Sequence, residues 1–341
     1  MPIDFSSFGG GKAILIYRGV DISSELSPET TSINYTDNWH GEADEIDVTV
    51  QDKDGKWKGP WLPEHGDTMQ LLLSDNGVSF VDCGTFELDE PHVRGSRSGD
   101  TMTIRGLAAP ISKPLRTANT YAYEDKDLRA IVNEVAGRTG LSIEGEIDAL
   151  SFKRITQRRE RDLEFLKRLA EDTGHYFSVR NTRAVFTSYA SIDGRSPTLV
   201  IDLENKALDA GRLIDYSFKI QSQGTYSKGS LQYSDPDKKE VTRHEEPDPR
   251  VKTGDELKVR GERVENKANA EALVKARLHM ANRKQKTGSM TMIGNMRALA
   301  GNTLLATGFG GYSDKYVIDS SGHAISRSGY TTSVELSLAK Q

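Results

Sequence analysis

Cysteine is nearly absent from this chain: Cys83 is the only one in 341 residues. A single thiol excludes an intramolecular disulfide framework and any cage of cysteine metal ligands. It fits folding in a reducing cytosol, with Cys83 as a small buried hydrophobe between Val81 and Phe86. Long apolar runs are missing too. No stretch approaches the roughly 18 residues of a membrane span. Met1-Pro2-Ile3-Asp4-Phe5 has neither a basic start nor an apolar core of a secretory signal. We therefore expect synthesis in the cytoplasm without a signal peptide, and no membrane insertion.

Charge of one sign is also lacking. Lys and Arg number 45 against 50 Asp and Glu, a net charge of −5. The whole chain gives no reason to expect strong binding to nucleic acid or an anionic membrane. The seven histidines (His40, His65, His92, His175, His244, His279, His323) include no H-x-H or H-E-x-x-H spacing, so no metal site is expected. Gly9-Gly10-Gly11-Lys12 imitates a phosphate loop. However, Ser6 stands where its first Gly belongs, and Ala13 where Ser or Thr must hold Mg²⁺. Gly308-Phe309-Gly310-Gly311 lacks the third glycine and following helix of a dinucleotide fingerprint. No G-x-S-x-G elbow occurs. These absences favour a structural or interaction protein without a cofactor, with no catalytic residues to name.

What is present is mostly β patterning. The length predicts two or three domains at roughly 150 residues each. Lys12–Tyr17 is a short apolar strand. Ile46, Val48 and Val50 alternate with Glu45, Asp47 and Thr49, and the period of two returns at Met69, Leu71 and Leu73, at Phe86 and Leu88, and at Met102 and Ile104. Turn chemistry separates these runs at Lys53-Asp54-Gly55, Asp75-Asn76-Gly77, Gly95-Ser96 and Ser98-Gly99. Such a series indicates a barrel or sandwich.

The period then changes. Leu128, Ile131, Val132 and Val135 share one helix face, which Gly140 ends. A second helix is predicted over Arg159–Asp172, with Leu163, Leu166, Leu169 and Ala170 as its stripe and Gly174 as its stop. A small hairpin follows, His175–Val179 and Ala184–Ser188 across Asn181. The remainder is β again: Tyr216/Phe218/Ile220, Leu257/Val259, Met290/Met292, Tyr316/Ile318, and Thr332/Val334/Leu336/Leu338. One helix interrupts it over Lys267–Asn282, with Asn266 as N-cap and Arg277 at its edge. Asp235–Gly254, rich in charge and Pro, reads as a long exposed loop or hairpin tip. Trp39, Trp57 and Trp61 read as core or interface anchors. The layout is a β domain over 1–118, a small α+β domain over 119–190 and a second β domain over 191–341.

Ile155–Val179, ITQRRERDLEFLKRLAEDTGHYFSV, carries the most information. Gln157, Glu160, Asp162, Phe165, Leu166, Arg168, Leu169, Ala170, Gly174 and Tyr176-Phe177 match a pattern of Gln, Glu-x-Asp, a Phe-Leu-x-Arg-Leu-Ala helix, Gly and an aromatic strand. This resembles the signature of the phage late control protein D family, the baseplate hub of contractile tails, shared with the hub part of type VI secretion spike proteins. Leu128-Arg129-Ala130-Ile131-Val132 upstream fits the same pattern. So do Ala300-Gly301-Asn302, Gly308-Phe309-Gly310, Tyr316-Val317-Ile318, His323–Ser326 and Tyr330-Thr331-Thr332. Read from the residues alone, Asp162 and Glu164 suit the positive end of the helix dipole. Glu164 with Arg168 is an i,i+4 pair worth ~0.3 kcal/mol, and Leu163, Leu166 and Leu169 are core. It is a packing motif, and the resemblance implies a scaffold.

The resemblance implies a mainly β fold: two tail-tube-like β-barrels and a small α+β domain. It also implies a non-enzymatic, structural virion component. Three chains would form a ring of pseudo-sixfold shape that adapts a hexameric tail tube to a trimeric spike. Expected partners are two further copies, the tube, spike and tape-measure proteins and other baseplate proteins, with DNA only as cargo passing the lumen. An acidic or neutral lumen would let a polyanion pass; a Lys/Arg-lined one would not. Gln341 follows the last expected strand directly, so the spike is expected to be a separate protein. Two other readings compete. A tail-associated cell-wall hydrolase would need a cleft with opposed carboxylates or a metal. A carbohydrate-binding module would be built around Trp39, Trp57 and Trp61.

Overall fold

The computed structural model describes residues 1–341 apart from 5–10, 40, 42, 65, 98, 109–116, 181, 206–211, 236–239, 253, 261–263 and 341. His40, His65, Gly9-Gly10 and the turn positions Ser98 and Asn181 thus lie outside the described residues.

The first β unit comprises β1 (Ile3–Asp4), β2 (Lys12–Tyr17), β3 (Val20–Asp21), the turn of helix α1 (Ser23–Leu26), β4 (Thr30–Asn38), β5 (Glu45–Gln51), β6 (Thr68–Ser74), β7 (Val81–Ser96) and β8 (Gly99–Leu107). Its antiparallel order is β1-β2-β6-β7-β8-β5-β4. Alternation predicted β5, β6, β7 and β8 because one face of each is buried, with Ile46, Val48 and Val50 on β5, Leu71 and Leu73 on β6, and Ile104 on β8 all fully enclosed; β1, β3 and β4 were not predicted. Gly106 lets β8 approach closely, since a Cβ there would stand 2.9 Å from Phe86 Cβ. Strand β7 runs on past β6. It pairs with β6 up to Glu87, bulges between Leu88 and Glu90, and continues to Ser96 with β8 alone.

The inserted unit holds β9 (Asn119–Asp127), α2 (Leu128–Thr139), β10 (Ser142–Glu144), β11 (Ser151–Glu160), α3 (Asp162–Thr173), β12 (His175–Arg180), β13 (Arg183–Ser188) and the short α4 (Tyr189–Gly194). Helix α2 begins where Asp127 accepts the Ala130 amide and ends on Gly140 at φ 72°. The apolar stripes of α2 and α3 meet β12 and β13 in one core with Phe177 and Phe186. Helix α3 starts three residues later than predicted, because Arg159 and Glu160 still belong to β11, which pairs antiparallel with β9. Helix α4 spans the expected domain boundary at 190/191.

The last region contains β14 (Leu199–Asp202), β15 (Leu213–Ile220), β16 (Lys228–Asp235), β17 (Glu240–Pro247), β18 (Glu256–Val259), α5 (Lys267–Asn282), β19 (Lys286–Ile293), β20 (Thr303–Thr307), β21 (Asp314–Ser326) and β22 (Gly329–Leu338). Two findings depart from the sequence reading. First, of the two forms expected for Asp235–Gly254 the hairpin is the one found, and it carries more strand than expected: β17 is a regular strand, paired with β16 along its length. Its residues are polar on both faces, so no hydrophobic period announces it. The half-buried face, Thr242, His244 and Glu246, turns inward, and Glu246 pairs with Lys275 of α5. Second, β16, β17 and β18 form a separate three-stranded sheet, with Leu231 and Tyr233 packed on Ala270, Leu273 and Val274 of α5.

The fold is thus mainly β with an α+β insertion, and its two β units are curled antiparallel sheets joined edge to edge. Strand β21 makes the joint. Asp314–Val317 pair with β20, and Ser320–Ser326 pair with β4 of the first unit, either side of a bulge after Ile318. Strand β22 runs along its other side throughout. Eight strands, β7-β8-β5-β4-β21-β22-β19-β15, therefore form one uninterrupted path.

Candidate functional site

Residues of the Ile155–Val179 motif meet in a buried polar knot between β9, β11, α2 and α3. Gln157 is fully enclosed. Its Nε2 donates to Asp162 Oδ1 at 2.7 Å and to the Glu160 carbonyl at 3.0 Å. Its Oε1 accepts from Tyr123 Oη and from the Arg138 guanidinium, both at 3.2 Å. Arg138 also donates to Asp162 Oδ1 at 3.0 Å and to Tyr123 Oη at 2.8 Å. Every amide group of Gln157 thus has a partner, which burial demands.

Phe165 stacks on Tyr123 with ring centroids 5.4 Å apart, and Leu166, Leu169 and Ala170 are enclosed beneath it. Gly174 closes α3 at φ 77°. Glu160 accepts a forked pair from Arg168, at 2.6 and 3.1 Å. Burial pushes this carboxyl's pKa up, but the Arg168 bonds outweigh that and hold it below the ordinary value. The expected Glu164–Arg168 pair does not form. Glu164 turns back to accept the Arg161 amide at 2.9 Å, the reciprocal arm of a capping box, while Arg168 is taken by Glu160 and Asp172. Arg138 and Tyr123, central here, were missed. Arg138 reads in sequence as a last-turn cation, and Tyr123 sits on a strand without apolar alternation.

A second cluster ties all three regions. Arg180 of β12 donates to Asp37 of β4 at 2.6 Å and lies 3.7 Å from Asp44. The other Asp37 oxygen accepts the Ala300 amide at 3.0 Å. Asp44 accepts from the Asn38 amide at 2.8 Å and from Tyr35 Oη at 3.3 Å. Both carboxyls are buried. Burial, reinforced by the charge of Asp37, pushes Asp44 up to about 7.

The eight-strand path has two unlike faces. One covers the cores of both units, with Ile33, Ile46, Ile104 and Ile325 on one side and Met290, Ile318, Val334 and Leu336 on the other. Ladder registers place Thr103, Thr49, Ser32 and Ser326 in one row of the opposite face, and Thr36, Gly322, Ser333 and Thr291 in another. Small polar residues dominate it. The same registers add Glu45, Asp47, Glu90, Asp215 and Glu335 against Arg94, Arg105 and Lys219, so carboxylates outnumber cations.

The tryptophans do not form one platform. Trp57 and Trp61 meet edge to face at 5.6 Å beside a cavity of about 330 Å³. Trp39 instead leans on Tyr176, with ring centroids 5.1 Å apart. Among the described residues no three His, Cys, Asp or Glu side chains are grouped to hold a metal ion. Cys83 is free and buried.

Comparison with known proteins gives the context. A family profile described as phage tail baseplate hub (GPD) matches residues 84–329. A probable baseplate hub protein of Escherichia phage 186 is 29% identical over 229 residues, covering 67% of this chain and 57% of that protein. The corresponding protein of Escherichia phage P2 is 30% identical over 191 residues, covering 54% of this chain and 48% of that one. The chain thus spans about half the length of these curated relatives. In fold it is similar to the 43 kDa tail protein of prophage MuSo2 from Shewanella oneidensis, with a TM-score of 0.74 at 13% identity, covering 97% and 99% of the two chains. With the profile matching well over half of its residues, the chain belongs to the phage tail baseplate hub family.

Proposed function

We propose that this protein is the non-enzymatic hub of a contractile-tail baseplate. Three copies form a ring that joins a sixfold tail tube to a threefold spike. One observation carries the reading: the eight-strand path crosses both β units without a break, with one face sealed by two cores and the other lined with small polar groups. Such a wall, repeated three times, encloses a passage. Each copy contributes two β units, so the ring is threefold in sequence and near sixfold in shape. A ring of this kind needs head-to-tail interfaces.

The polar face is the lining of the passage. Ser, Thr and Asn with an excess of carboxylates repel rather than hold a polyanion, which suits DNA as passing cargo. The knot around Gln157, Asp162 and Arg138 acts as a structural lock that fixes α3 against β11. Residues 1–118, 119–190 and 191–341 serve as first wall segment, brace and second wall segment. The remaining partners are the spike and tape-measure proteins and other baseplate proteins. The chain is incorporated into the tail.

The test is the mass of the purified protein by light scattering, alone and with its spike protein, followed by electron microscopy of the particle. Rings of three with an axial hole are expected. A particle without an axial passage would overturn the proposal.

A further inference from the structure

Both ends of the eight-strand path are open. Beyond the bulge, β7 from Glu90 to Ser96 pairs only with β8, and β15 pairs only with β19, among the described residues. Both edges carry exposed apolar groups: Val93 on one, and Ile214, Tyr216 and Ile220 on the other. An edge whose backbone groups are left unpaired is a template for another strand. The geometry points to these two edges being partners: β15 of one copy adds antiparallel to β7 of the next, with Asp215 opposite Arg94 and Lys219 opposite Glu90. This rests on the ring reading above and names the contact that closes it.

Four features are consistent with that register, and the fourth selects it among those of the same parity. Every neighbour along the path is antiparallel, and the path has an even number of strands. Its two end strands therefore run oppositely, and copies related by rotation about the passage meet antiparallel.

Backbone direction is the second feature. The Asp52 amide donates to the Asp100 carbonyl, and the Ala108 amide to the Asp44 carbonyl. Even-numbered residues of β8 thus point at β5, and odd-numbered ones at β7. In an antiparallel ladder opposed residues exchange both bonds or neither. Hence Glu90, His92 and Arg94 face β8, while Pro91, Val93 and Gly95 point outward. On the other edge the Gln221 amide donates to the Gln285 carbonyl. Odd-numbered residues of β15 from Asp215 onward therefore face β19, and Tyr216 and Phe218 point outward. The proposed register sets Val93 against Tyr216, so outward groups meet outward groups. Pro91, with no N–H to offer, meets Phe218 and costs one donor.

Third, faces match. Asp215, Arg94, Lys219 and Glu90 lie on the polar face, whereas Tyr216 and Val93 lie on the core side. Fourth, charges match. Asp215 and Lys219 are four residues apart, as are Glu90 and Arg94, and none of the four is in a salt bridge among the described residues. Sliding by two residues either way loses both pairs.

The test uses the full chain carrying Ser217→Cys and His92→Cys, directly opposed on the polar face at a site of close Cα approach. Buried Cys83 does not compete. Mild oxidation is expected to give a three-chain species on non-reducing gels, lost on reduction and absent from either single variant. Pairing Ser217→Cys with Arg94→Cys, off register by two, should cross-link far less. Glu90→Lys should weaken self-association roughly 2- to 5-fold per edge, and adding Lys219→Glu should restore it. A trimer by mass that resists the 92–217 link, or links as well off register, overturns this contact and leaves the ring standing. A chain that stays monomeric at all concentrations, with no cross-link, counts against both.

Discussion

The first β unit gathers its apolar side chains into one core, whereas the last third of the chain lends some of its own to that core and divides the rest among three others. The first core runs from Ile3 to Ala108 and also takes Met296, Ile325 and Tyr330 from the far end of the sequence. The later residues split between the sheet around Met290 and Leu336, a seam around Tyr176, Tyr189 and Val317 and the layer of β16–β18 on α5. One region is thus a single cooperative body that needs the C-terminal hairpin to be complete. The other is a body with an attached outer layer.

That contrast makes predictions of graded size. Tyr330→Ala empties the first core and should destabilise the protein by about 3–5 kcal/mol. Trp57 fluorescence in a Trp39→Phe, Trp61→Phe background during urea unfolding would measure it. A much smaller shift would mean the hairpin is only laid against the first unit. Arg180→Met leaves Asp37 and Asp44 buried without their cation and should cost roughly 3–5 kcal/mol. Adding Asp44→Asn should recover part of that, measured in the same way. Leu231→Ala should cost about 2–4 kcal/mol but locally. Amide exchange in β16–β18 should quicken while the Trp57 midpoint holds; a matching fall of that midpoint would erase the distinction between body and layer.

Smaller effects come from pH. Burial pulls His323 down to about 4, so the stability it supplies is present above its ordinary value near 6.5 and is lost as pH falls toward 4. Asp44 works in the opposite sense. Its raised pKa of about 7 means that stability present below about 4 is lost as pH climbs through 7. Each contributes at most about 1.4 kcal/mol per pH unit, and the slopes oppose one another between 4 and 6.5. His323→Gln should expose the falling limb and Asp44→Asn the rising one, in thermal melts across that range. Smallest is Glu164→Ala, which removes one arm of the α3 capping box and should cost about 0.5–1 kcal/mol in thermal unfolding.

How much of this was legible follows from side-chain periodicity. Strand β5 and helix α5 were readable to the residue because one face is apolar and the other is not, and β2 because it is a short apolar run. Strands β9, β11 and β17 were not. Of β9 only Tyr123 and of β11 only Gln157 is buried, so nothing in their spelling separates them from loop. The joint of β4 to β21 was invisible for another reason: strand partners are chosen at long range, and Asn34 opposite Ala324 carries no local sign of it. Motif residues were found, but their partners were not. Asp162 suggested a helix start, yet its bonds to Arg138 and Gln157 come from elements 24 and five positions away.

Strand β21 bears on how the molecule takes a load. Its first half is laced to β20 and its second half to β4, with β22 bound along the whole length. Sliding one β unit past the other along the strand axis would strain those rungs simultaneously, as in shear, rather than peel them one after another. The halves are spliced like two planks sharing one batten, and they must move as a single stiff plate under a load along the strands.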